Sequence, residues 1–186
     1  MQMIKPLLGV FAVLGTWPNW ETYFNLSRRG QKMSFVALAL SLAPLWLVVY
    51  GIQSERARLT ETELSLPGAV PFLLITGLWL FSFPALAYLI GMIFEKMDRV
   101  RMWTITRNWT VFGLSLLTGA VFGLVSLGLL PFIFANGVLF AAYFGLLAAD
   151  IRLAQKVAGF NWGYAILIGC VIVAVGLTFV QLALSR

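Results

Sequence analysis

Between positions 110 and 149 the chain carries no Asp, Glu, Lys or Arg. A helix rises 1.5 Å per residue and a hydrocarbon core is about 30 Å thick, so one crossing takes roughly 20 residues and this run suffices for two. A membrane hairpin is predicted. Leu129-Leu130-Pro131 and Asn136-Gly137 interrupt it, and the bend is expected between them. Three further apolar runs flank the hairpin. Residues 34–52 hold Pro44 near the middle, where a kink is expected, and lead into a polar connector, residues 53–66, that ends at Pro67-Gly68. Residues 69–94 are again uncharged, with Pro71 at the start and Pro84 inside, and residues 164–184 form the last run. Glu95, Lys96, Asp98, Arg99, Arg101 and Arg107 precede the hairpin, and the helical spacings of Glu95 with Arg99 and Asp98 with Arg101 predict that the second span continues as a charged turn. The pattern predicts an all-α polytopic membrane protein. An N-terminal interfacial amphipathic segment, residues 1–32, precedes a transmembrane domain, residues 33–186, with five spans at about 34–52, 69–94, 109–130, 132–150 and 163–184.

Within the hairpin, Ser115, Gly119 and Gly123 recur every fourth residue on the incoming helix, as do Gly137, Ala141, Gly145 and Ala149 on the outgoing one. That spacing keeps small residues on one face, where backbones approach closely and dispersion replaces the hydrophobic drive that lipid cannot supply. Both stripes are candidate faces for helix packing or for an oligomer, although glycine is frequent in membrane helices generally. A repeated dipeptide, Asn19-Trp20, Asn108-Trp109 and Asn161-Trp162, is read as helix-start grammar. The last two copies are expected to open spans, with Asn capping free amides and Trp at the headgroup level.

The apolar residues 6–15 are too few to cross a bilayer, and no small-x-small cleavage site follows them. Met3, Ile4, Leu7, Leu8 and Phe11 share a helical face; after Trp17-Pro18-Asn19, Trp20, Tyr23 and Phe24 form another, with Arg28, Arg29 and Lys32 beyond. Aromatic anchors beside basic residues predict an in-plane helix on an anionic leaflet, each basic residue being worth about 1 kcal/mol near such a surface. Arg99 and Arg101 extend the same candidate lipid surface. The alternative is an arm packed on the protein's own spans.

Composition agrees with the pattern: 61% of the 186 residues are hydrophobic and 11% charged. The net charge of +6 is confined to short segments between apolar runs, where it orients a membrane protein rather than binding nucleic acid. With five crossings, Lys5, Arg28, Arg29, Lys32, Lys96, Arg99, Arg101, Arg107, Arg152 and Lys156 share one side, leaving Arg56, Arg58 and Arg186 on the other. The positive-inside rule then puts the N-terminus in the cytoplasm and the C-terminus outside.

Chemistry is thinly represented. The absence of His removes imidazole ligands, proton relays and Ser-His catalysis, and the single Cys170 leaves no multi-cysteine metal site. No cofactor, metal site or catalytic residue is expected, and no phosphate-binding glycine loop occurs. The apolar cores carry no charge, which weighs against ion-coupled transport. Their polar groups, Ser41, Thr76, Ser82, Ser115, Thr118, Ser126, Thr178 and Gln181, suit hydrogen bonds between helices better than a substrate site. Folding the hairpin near residue 130 brings Asp150 back toward Arg107, so a structural salt bridge is predicted at its partly wet base, worth about 1 kcal/mol.

Trp17-Pro18-Asn19-Trp20-Glu21 in the first segment, Ser34-Phe35 opening a proline-bearing span, and Arg107-Asn108-Trp109 opening the third together resemble the small five-span proteins of the Yip (Ypt-interacting protein) type and their bacterial relatives. The resemblance covers nearly the whole chain. It implies five helices, a cytoplasmic N-terminus and, through the bacterial relatives, an inner-membrane location. Eukaryotic members bind small GTPases and other membrane proteins through a cytosolic arm longer than residues 1–32 here, and the family supplies no catalytic residues to carry over. The expected function is therefore that of a non-enzymatic integral membrane protein working by association with lipid, other membrane proteins or itself, as a scaffold, accessory subunit or shaper of the bilayer. The alternative is a small transporter or channel for an uncharged or lipidic solute.

Overall fold

The computed structural model describes residues 3–15 and 17–184, with side chains described as far as Phe179; Arg186 and the side chain of Gln181 lie outside the described residues. The helices in chain order are α1 (Ile4–Leu14), α2 (Arg28–Leu40), α3 (Leu42–Thr60), α4 (Ala69–Ile93), α5 (Met97–Ser126), α6 (Phe132–Lys156) and α7 (Trp162–Leu184), with a 3-10 turn at Trp20–Tyr23. Five helical stretches are long and apolar enough to cross a membrane, α2 and α3 counting together as Arg28–Thr60. The chain is thus a multi-pass helical membrane protein.

Local chemistry explains most boundaries. Ser27 caps α2 by accepting the Gly30 amide at 3.4 Å. The break between α2 and α3 falls at Ser41, three residues before Pro44, whose ring crowds the preceding turn and whose missing amide leaves a carbonyl unpaired. Lys96 N–H returns to Gly91 O at 2.8 Å, closing the end of α4 in a turn where Glu95 takes a left-handed φ of 54°. That turn corrects the expected charged extension of the second span, because Asp98, Arg99 and Arg101 belong to the opening turns of α5. Likewise α3 absorbs much of the polar connector and ends at Thr60, where Arg58 forks onto Glu55 at 2.8 and 2.6 Å. Hydropathy marks where lipid stops, whereas a helix continues wherever water can solvate its side chains.

The hairpin turns at residues 127–131, with Gly128 at φ 72°, and Asn136-Gly137 lies inside α6, so the bend precedes the expected place. Pro131 sits immediately before the first helical residue, where its missing amide costs nothing. Helix α5 is the hub and packs against α1, α2, α3, α4 and α6, while α7 is held by α6 and α4. The N-terminal segment lies across one end of this bundle, here called the base. Pro6, Gly9, Val10, Ala12 and Val13 of α1 are buried, whereas Ile4, Leu8 and Phe11 are exposed. One face of α1 therefore packs on the spans and the other is an apolar outer surface. Trp20 and Phe24, expected as membrane anchors, are instead 5% and 7% exposed in the core and meet edge-on with centroids 6.2 Å apart. Their indole and phenyl surfaces gain more from a packed protein interior than from the headgroup layer.

Candidate functional site: a cleft that ends at a buried ion pair

Ten successive positions of α5, residues 103–112, are all buried, including Thr104, Thr106, Arg107, Asn108 and Thr110. Sequence reading took Arg107-Asn108-Trp109 as the start of a span, but these residues sit about 15 Å along a helix that begins at Met97. Of the three Asn-Trp pairs, the last does open a helix, Asn161 Oδ1 accepting the Tyr164 amide at 3.0 Å. Asn108 has no helix end to cap. Its Nδ2 donates to Ser34 Oγ on α2 at 3.2 Å, which ties two spans together far apart in sequence.

The hairpin does bring Arg107 and Asp150 together. Arg107 donates Nε–H to Asp150 Oδ1 at 2.8 Å and Nη2–H to Oδ2 at 3.2 Å. The pair is not wet: the side chains are 5% and 0% exposed, and the guanidinium carbon lies 4.1 Å from the Phe83 ring centroid. The expected value near 1 kcal/mol is corrected accordingly. A buried pair gains little over an apolar one, yet removing one partner strands a charge and costs about 3–5 kcal/mol.

On the base side of this pair the bundle is closed by one core cluster that includes Trp20, Phe83, Trp103, Trp109, Leu153 and Phe160. On the other side it opens. A cleft of about 380 Å³ extends between the spans, with Arg107 and Asp150 at its floor and walls from α3, α4, α5, α6 and α7. Val49, Phe72, Ile75 and Thr76 line both this cleft and a wider one of about 710 Å³ that reaches the connector residues 62–68. The opening follows α3 and α4, whose backbones stand apart although Trp46 and Phe72 meet edge-on with centroids 4.8 Å apart. Ser115 and Thr118 line the cleft but donate to the carbonyls of Phe112 and Leu114 in their own helix. Ser41, Ser82, Ser126 and Thr178 do the same with Ala37, Trp79, Phe122 and Ala174. The expected bonds between helices are thus replaced by bonds within them, because a serine or threonine always has a carbonyl three or four residues back within reach. Tyr143 Oη, by contrast, is buried with no partner among the described residues.

The two small-residue stripes part ways. A methyl at Gly119 would stand 2.7 Å from Pro44 Cα, and Gly123 lies nearest Leu47, so this stripe with buried Ser115 faces α3. On α6, Gly137, Ala141 and Gly145 are exposed and only Ala149 is buried; both glycines have open space around them. Up to the ion pair the buried small residues are instead Ala135, Ala142 and Ala149, seven apart, with Ala154 buried beyond it. Each four-residue step rotates about 40°, so a stripe of three steps winds about 120° round the helix, whereas a seven-residue repeat drifts only about 20°. Arg28, Arg29, Lys32, Arg99 and Arg101 are all exposed at the base. The cleft itself escaped sequence reading, along with Phe83, Trp79 and Tyr143. Its visible traces were the pairing of Arg107 with Asp150 and the in-span hydroxyls of Thr76, Ser115 and Thr118, which read equally well as helix packing. Comparison with family models, curated proteins and solved structures finds no match.

Proposed function

We propose that this protein works by association and not by catalysis, holding an apolar, lipid-like molecule in the cleft between its spans. The cleft carries the reading: at about 380 Å³ it falls within the roughly 300–1,000 Å³ range of small-molecule sites, its lining is mostly apolar, and it opens between α3 and α4. The exposed stripe of Gly137, Ala141 and Gly145 supports contact with a second membrane helix, from another protein or another copy. The exposed basic residues of the base, beside the outer face of α1, support a cytoplasmic base resting on anionic lipid. Reporter fusions to the two termini test that orientation, which fails if both report the same compartment. Native mass spectrometry from lipid nanodiscs tests the cleft: the intact chain should retain a bound amphiphile that Val49→Trp expels. A ligand-free particle would sink the reading.

A second reading is favoured by one observation, that the cleft is open at one end and sealed at the other by the ion pair and the base core. A solute could pass if that seal opened. Flux of an uncharged solute across proteoliposomes, abolished by Val49→Trp, would support passage over holding.

A further inference from the structure

We propose that the inner end of the cleft recognises the head of its ligand, and that this head is a neutral hydrogen-bond acceptor, the carbonyl oxygen of an ester, ketone or amide on a single apolar chain. The inference rests on reading the cleft as a binding site and adds the chemistry of what enters it.

The floor has donors to spare. A guanidinium carries five N–H groups. Among the described residues the side chain of Arg107 makes two hydrogen bonds, both to Asp150. Phe83 covers one face of the guanidinium, so its spare donors point along its plane. Arg107 also lines the cleft. Tyr143, on the cleft wall, has a buried hydroxyl without a partner among the described residues. Trp79 lines the cleft from α4, and a methyl on Gly176 would stand 2.9 Å from its indole nitrogen, so the glycine makes room for that N–H edge. Guanidinium and indole donate only, and among the described residues neither pairs with any of the hydroxyls that line the cleft.

Charge chooses between acceptors. Asp150 already neutralises Arg107, so a carboxylate or phosphate would bring an uncompensated charge into an apolar cleft, at a cost of several kcal/mol. A carbonyl oxygen takes the same donors without that penalty. The volume, near the low end for small-molecule sites, suits one chain and not two.

The experiment is competition on the intact chain in nanodiscs. A diazirine-bearing alkane labels the cleft, peptide mass spectrometry reads the labelled residues, and methyl myristate, myristate and tetradecane compete. Methyl myristate should compete about tenfold better than tetradecane, the equivalent of roughly one buried hydrogen bond. Arg107→Leu combined with Asp150→Leu, which removes the donors of the floor, should erase most of that advantage. Equal competition by ester and alkane would overturn the head-group inference and leave the cleft reading standing. Stronger competition by myristate would overturn the neutral head. Labelling unaffected by Val49→Trp would remove the cleft reading itself.

Discussion

The two ends of this bundle are made from the same kind of residue and are packed in opposite ways. At the base, aromatic rings meet edge-on, Phe83 with Trp103 at 5.3 Å and Trp103 with Phe160 at 6.1 Å, and the N-terminal segment packs into the same cluster. Lys156 Nζ donates to Gly15 O at 2.9 Å and Lys96 Nζ to Gly159 O at 3.3 Å, so even loop carbonyls there are held. Away from the base, Gly77, Gly128, Gly137 and Gly145 have nothing among the described residues within 4 Å of where a methyl would stand, and beside a small cluster of Val48, Phe122 and Ala135 the interior opens into a cleft. Hydrophobicity therefore does not decide packing in a chain of this class. Lipid is as apolar as leucine, so helices close only where shape, hydrogen bonds or a covering segment favour contact. The base has all three.

The sharpest test of this contrast is at the boundary. Asp150→Ala should strand Arg107 and cost about 3–5 kcal/mol in unfolding measured in detergent, whereas Arg107→Leu combined with Asp150→Leu should recover most of it. If the single variant unfolds like the parent, the pair is not buried as described. Trp20→Ala should cost about 3–5 kcal/mol by emptying the base core, while Phe140→Ala, on the exposed face of α6, should change stability by less than about 0.5 kcal/mol. Equal costs would erase the difference between the two ends.

Glycines give a finer comparison. Gly169→Leu drives a side chain into the backbone of Ile151, whose nitrogen would lie 3.2 Å from the new methyl carbon, and should cost about 1–3 kcal/mol. Gly145→Leu meets open space and should leave the monomer's melting temperature unchanged; a change in its particle mass would identify an oligomer face. Smallest of all, Asp98→Asn removes an exposed contact of 3.2 Å to Arg99 and should fall within about 1 kcal/mol by the same unfolding assay.

Much of the architecture was legible without coordinates, for a reason that also limits it. Hydrocarbon excludes charge, so runs of uncharged residues reveal five crossings and their approximate centres, and a short turn obliges Arg107 and Asp150 to lie at one level. These are properties of the chain taken one neighbourhood at a time. Helix ends were not legible, because residues 97–108 are polar enough for a loop and yet form helix that is buried from Trp103 onward. Nor was the direction of the small-residue faces: whether Gly119 meets α6 or Pro44 of α3 depends on how each helix is rotated and which others stand beside it. The cleft depends on the same facts for five helices at once. Composition decided which solvent surrounds the chain; only the tertiary arrangement decided where protein meets protein, because in lipid that choice turns on fit between particular surfaces and not on how apolar they are.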